Sequence, residues 1–114
     1  VRWERGRQGT GYWIFKIFSV WTLHCDCYLI YYPTGSYIPP HKDPAIDGYE
    51  HHRINIVLRQ ADKGGWFWVR QGFGVGTTDR SIVRFRPDIQ EHSVDRVLEG
   101  SRLVFSFGWL RKAV

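Results

Sequence analysis

The chain has 114 residues, 43% of them hydrophobic and 24% charged, a balance that suits one folded domain with its own core and excludes chain-wide disorder. Sixteen Lys and Arg against 11 Asp and Glu give a formal charge of +5. That charge favours acidic partners, but it is spread along the chain, densest at Arg2, Arg5 and Arg7 around Glu4, so nucleic acid is allowed and not favoured. Aromatic residues reach 17% and give a short chain much apolar area to bury. Met is absent, so residue 1 is not expected to be a translation start.

Gly9 and Gly11 precede residues 12–19, which are read as a short helix laid over one sheet through Trp13, Phe15 or Phe18. Residues 12–23 are the only stretch resembling a signal-peptide core, but Lys16 interrupts it and His24-Cys25-Asp26 is a poor cleavage site. No run reaches the ~18 apolar residues that span a bilayer, so no membrane partner is expected. Cys25 and Cys27 are two apart on a strand and cannot easily bridge each other, which makes a reducing cytoplasm the expected compartment.

From there the chain reads as strands. They cover residues 21–32, 39–43, 53–59, 66–70, 80–86, 89–97 and 102–110, with turns at Pro33-Thr34-Gly35, Asp62-Lys63-Gly64-Gly65, Pro87-Asp88 and Glu99-Gly100. Seven or eight short strands between turn signals predict a jelly roll or barrel. In the last strand Leu103, Phe105, Phe107 and Trp109 share one face, and Arg102, Val104, Ser106 and Gly108 share the other. The aromatic face needs a cover, for which the amino-terminal helix is the candidate. Arg102 and Ser106 then point inward, and an inward arginine is costly unless it meets an anion.

His41 and Asp43 share one face of an extended segment, and His92 lies in the strand before Arg102. Two imidazoles and a carboxylate on one side of a metal form the facial triad of non-haem Fe(II) oxygenases. Alone, His-x-Asp is a weak signal. It recurs at His24-Cys25-Asp26, a copy inside an aromatic strand that is read as structural. Arg102, ten positions after His92, adds a planar fork suited to clamping a carboxylate. The alternative for Arg102 is a structural ion pair with Asp88, Asp95 or Glu91.

The ordered set Tyr32-Pro-Thr-Gly35-Ser-Tyr37, His41-x-Asp43, Arg53-Ile-Asn-Ile-Val-Leu58, Gly64-Gly65, His92 and Arg102 resembles the Fe(II)/2-oxoglutarate-dependent dioxygenases, most of all their prolyl-hydroxylase-like branch, over roughly residues 28 to 110. The resemblance implies a mainly β, cupin-like double-stranded β-helix as a single domain. It implies that His41, Asp43 and His92 hold Fe(II) and that Arg102 binds the far carboxylate of 2-oxoglutarate. Tyr32 is implied to touch that cosubstrate, with Ser106 and Asn55 as weaker candidates. Dioxygen is then the oxidant, succinate and CO2 are released, and a peptide side chain or small molecule is hydroxylated.

The branch often carries lysine where Arg102 stands, and Tyr37 lies four rather than three positions before His41. Trp66 follows the glycine pair where a polar residue is common. The repair enzymes' second arginine, six after the first, is here Gly108, which argues against nucleic acid as substrate. Asp43 favours hydroxylation over halogenation. His51-His52 is read as a solvated loop pair, Gly72-x-Gly74-x-Gly76 as a hairpin at the pocket mouth, and Trp66 and Trp68 as core. Cys25-Asp26-Cys27 lacks the further ligands a soft-metal site needs. The loops 44–52 and 70–79 are expected to frame the entrance. The alternatives to a hydroxylase are a non-catalytic jelly-roll binding module and an oxygenase acting on nucleic acid.

Overall fold

The computed structural model describes residues 3–20, 22, 24–71, 74–78 and 81–113. Twelve strands occur among them, all paired antiparallel where pairing is described. In chain order they are β1 (Trp3–Arg5), β2 (Trp13–Val20), β3 (Cys25–Tyr32), β4 (Ile38–His41), β5 (Tyr49–Arg59) and β6 (Lys63–Gly64). There follow β7 (Phe67–Gln71), β8 (Gly74–Thr78), β9 (Ile82–Phe85), β10 (His92–Val94), β11 (Val97–Glu99) and β12 (Arg102–Lys112). A six-stranded sheet runs β1-β2-β3-β12-β5-β9, a four-stranded sheet β4-β10-β7-β8, and β11 pairs β6 in a small ribbon.

The core lies between the two larger sheets. Tyr12, Ile30, Tyr32, Phe85 and Val104 meet Phe67, Val69, Val94 and Val97 in one buried cluster. Strand β12 is the spine of the larger sheet. Its burial alternates residue by residue from Arg102 to Gly108, so Arg102, Val104, Ser106 and Gly108 face inward as the sequence pattern predicts.

The opposite face of that sheet is apolar across its width. One row of cross-strand neighbours runs Trp3, Phe15, Leu29, Phe105, Ile56, Ile82 across all six strands. A flanking row runs Arg5, Trp13, Tyr31, Leu103, Arg59, and another runs Phe18, Cys27, Phe107, Ile54, Arg84.

The amino-terminal helix is replaced by a strand. Residues 13–20 form β2, hydrogen-bonded to β1 and β3. The turn before it, with Gly6 N–H donating to the Tyr12 carbonyl and Gly9 N–H to the Gly6 carbonyl, closes a hairpin rather than capping a helix. A register shift between Lys16 and Phe18 breaks the period of two and hides the strand.

Other corrections are local. The strand expected from residue 21 begins at Cys25, after His24 in the left-handed region at φ 52°; Trp21 and Leu23 lie outside the described residues. Residues 89–97 divide into a turn, β10 and β11. Strand β5 starts at Tyr49, so His51 and His52 are in a strand, with His52 buried and stacked on Trp109 at 5.5 Å. Trp66 is exposed, because Phe67 and Val69 take the inward positions of β7. Trp66 N–H and Trp68 Nε1–H both donate to Asp95, each at 2.9 Å. Gly72 and Phe73 lie outside the described residues, and residues 74–78 form β8, which pairs antiparallel with β7 up to Gln71 opposite Gly74 as a hairpin does. No helix among the described residues is long and apolar enough to cross a membrane.

Candidate functional site

Two paired strands bring the histidines together. His41 ends β4, His92 opens β10, and the two are direct partners in the antiparallel register. Their ring centroids are 4.3 Å apart, as expected of a close cross-strand pair. Asp43 follows two residues after β4 and is fixed by its backbone N–H donating to the Pro87 carbonyl at 2.8 Å. His41 Nε2 lies 3.5 Å from Asp43 Oδ1, and His92 Nε2 lies 3.5 Å from Asp43 Oδ2. One ligand atom from each of the three residues falls within 4.8 Å of the others.

Each imidazole is held from behind. His41 Nδ1 is 2.8 Å from the Pro39 carbonyl, and His92 Nδ1 is 2.9 Å from the Gln90 carbonyl. A carbonyl only accepts, so both Nδ1 atoms carry hydrogen and both Nε2 atoms face the carboxylate. Burial pushes the Asp43 carboxyl up, but hydrogen bonds and charge from both imidazoles outweigh it and hold it far below the usual carboxylate range. The hydrogen bond to Asp43 raises His41 above the ordinary imidazole value, against the opposing effect of burial. Protons and a divalent cation would therefore compete for the same atoms. Phe85 closes one side, 5.0 Å from the His92 ring.

Arg102 is 3% exposed, and its Nε and Nη1 atoms are buried with no hydrogen-bond partner. None of the carboxylates that could have explained it structurally is hydrogen-bonded to it among the described residues, although the Asp95 charge acts on it from further off. Asp88 takes two hydrogen bonds from Arg86 at 2.9 and 2.7 Å, Asp95 serves the two tryptophans, and Glu91 lies 3.9 Å from Arg70. Burial lowers the Arg102 pKa, yet a guanidinium stays charged at neutral pH. The guanidinium lies over Tyr32, its cross-strand neighbour, 5.2 Å from the ring centroid. Tyr32 is itself buried, which pushes its phenol up, and stacks on Tyr12 at 5.9 Å. A buried cation with orphaned donors fits an anionic ligand.

Ser106 and Asn55 share the inward face with Arg102 but serve another arginine. Ser106 Oγ accepts from Arg53 Nε and donates to Asn55 Oδ1, both at 2.6 Å. Arg53 is buried on the face of Tyr28 and also donates to Asp26 and to His51 Nε2. The spacing of Arg53 and Asn55 carries this parity, but Arg53's partner Asp26, 27 residues away, carries no local signal. Arg7 was likewise hidden: from the turn between β1 and β2 it donates Nη2–H to Asp43 Oδ1. Pro44, Ala45 and Ile46, together with His51 from β5, line a cavity of ≈ 220 Å³ whose lining does not include the triad or Arg102.

No protein-family profile matches the chain, and no curated protein matches its sequence. Solved structures do match. A Pseudomonas putida prolyl-4-hydroxylase is 17% identical with a TM-score of 0.75, over 98% of this chain and 78% of that one. The Schizosaccharomyces pombe Cnp3 cupin domain is 10% identical with a TM-score of 0.62, over 96% and 68%. An oxidoreductase of the 2OG-Fe(II) oxygenase family from Burkholderia pseudomallei is 21% identical with a TM-score of 0.62, over 88% of this chain and 44% of that one. At these identities the likeness is one of architecture: the chain has the mainly β, jelly-roll fold of the cupins.

Proposed function

We propose that the protein is an Fe(II)- and 2-oxoglutarate-dependent oxygenase that hydroxylates a small molecule or a peptide side chain. The observation that carries this reading is the buried, unpartnered guanidinium of Arg102 in the same barrel as the His41, Asp43 and His92 cluster. The donor set of two imidazoles and one carboxylate suits iron and leaves coordination positions open. Fe(II) bound there would supply the redox chemistry that couples dioxygen reduction and keto-acid decarboxylation to substrate oxidation. Overall, one oxygen atom enters the substrate C–H bond and the other enters succinate, with CO2 released.

The chain's own residues then have distinct tasks. His41 and His92 present Nε2 in fixed orientations because Pro39 and Gln90 hold their Nδ1–H groups. Asp43 contributes the negative charge. Arg102 receives the distal carboxylate of the keto acid through two orphaned donors, and Tyr32 with Tyr12 walls that end against water. Ser106 and Asn55 act one step back, by fixing Arg53.

The test is anaerobic titration of purified protein with Fe(II) and 2-oxoglutarate, followed by oxygen uptake and succinate assay. Stoichiometric metal and keto-acid binding is expected, and binding of neither would defeat the reading. A second reading, a cupin binding module without turnover, draws on the Cnp3 cupin domain matching as well as the Burkholderia oxygenase. Succinate formed in step with oxygen uptake separates the two.

A further inference from the structure

The cavity of ≈ 220 Å³ begins one residue beyond Asp43, at Pro44, and contains chemistry that the triad and Arg102 do not use. That volume takes a small ligand such as a free amino acid. Two of its lining residues, Asp26 and His51, are both tied to the buried Arg53. Arg53 reaches them by lying against Gly108, where an added Cβ would come 2.1 Å from its Nη1.

Asp26 and His51 thus line the cavity with the buried Arg53 guanidinium directly behind them. Asp26 Oδ1 accepts from Arg53, while Oδ2 has no hydrogen bond among the described residues. His51 Nε2 accepts from Arg53, so its hydrogen is on Nδ1, where it can donate. Burial and the Arg53 charge hold His51 below the ordinary imidazole value, which keeps it neutral. Pro44, Ala45, Ile46 and Trp109 supply apolar lining. A lone cation approaching Asp26 is opposed by Arg53, and a lone anion approaching Arg53 is opposed by Asp26. A ligand carrying both charges gains from each.

We propose that this cavity binds the substrate and that the substrate is a small zwitterionic α-amino acid, its ammonium on Asp26, its carboxylate on His51 Nδ1–H with the Arg53 charge behind it, and its aliphatic side chain along Pro44–Ile46, the segment that follows Asp43. This rests on the oxygenase reading for the word substrate, but the binding claim stands by itself.

The experiment is a direct-binding titration of the whole chain, by nuclear magnetic resonance, with L-valine, L-leucine, L-isoleucine and L-proline. Each is compared with its amide, its N-acetyl acid and its N-acetyl amide. At least one free amino acid is expected to bind tenfold or more tighter than all three of its derivatives, and Asp26→Asn to weaken it tenfold or more. Ala45→Trp, which fills the cavity and leaves the Arg53 network intact, is expected to abolish binding even if Asp26→Asn fails to fold. Equal binding of the N-acetyl amide would overturn the proposal in favour of a peptide substrate, and no binding of any free amino acid below 10 mM (about 100-fold weaker than 0.1 mM, a typical substrate affinity) would overturn it outright. The same samples are titrated with 2-oxoglutarate. Amino-acid binding without 2-oxoglutarate binding would remove the oxygenase reading alone, and the reverse would remove this proposal alone.

Discussion

Arg7 and Asp43 meet across 36 positions of chain, an exposed guanidinium closing on the carboxylate that also faces two imidazoles. The arginine side chain is 72% exposed, so the pair adds little to stability, less than ~1 kcal/mol. Its charge matters more to a divalent ion. A unit cation several ångströms from a doubly charged one costs about 1 kcal/mol in a watery dielectric. Arg7→Ala is expected to tighten Mn(II) or Fe(II) binding roughly fivefold at low salt, and less at high salt. Calorimetric titration checks this. Weaker metal binding in the variant would mean that Arg7 orients Asp43 rather than competing for it.

Arg102 should trade stability for binding. Its buried, unpaired charge is a cost to the ligand-free fold, only partly offset by the contact with Tyr32. Arg102→Met is expected to stabilise the ligand-free protein by about 1–3 kcal/mol, seen as a higher melting temperature. Arg102→Ala is expected to weaken 2-oxoglutarate by about 2–3 kcal/mol, roughly 30- to 150-fold. A keto-acid affinity within threefold of wild type would leave the arginine without this role.

Acid sensitivity should trace in part to Asp88. Burial pushes its carboxyl up, but the two hydrogen bonds from Arg86 prevail and hold it below the usual range. A depressed folded pKa means that the stabilisation is present above the unfolded value and is lost as pH falls through the folded one. Asp88→Asn is therefore expected to cost about 1–2 kcal/mol near pH 7 and almost nothing near pH 2. Denaturant melts at the two pH values measure the difference, and an equal cost at both would contradict it.

The outer face of the six-stranded sheet predicts a salt response. Its flanking apolar rows end in Arg5, Arg59 and Arg84, so two copies meeting face to face bring like charges together. At ~1 M salt the screening length shrinks to about 3 Å, and light scattering is expected to report self-association that low salt suppresses. Scattering that falls as salt rises would argue that attraction between unlike charges, not apolar contact, drives any association.

Much of the site was legible because it is local or periodic. His41 and Asp43 sit two apart, His92 and Arg102 sit ten apart, and the alternation from Arg102 to Trp109 declares which side is inward. What escaped was long-range or irregular. Strand β2 reads as helix because the shift between Lys16 and Phe18 interrupts its alternation. Arg7 reaches Asp43, and Asp26 reaches Arg53, only once the sheet has formed. Ser106 was found by its face, while its task depends on a neighbour across the sheet that facing alone does not reveal.

Both imidazoles of the triad lean on a carbonyl two residues upstream, at Pro39 and at Gln90. The same short brace thus recurs on two neighbouring strands, and each ring has lost its rotational freedom before any ion arrives. The entropy of ordering these ligands is spent as the chain folds. Capture of a metal is then governed by shedding its hydration and displacing protons, and the protein beneath it stays as it was.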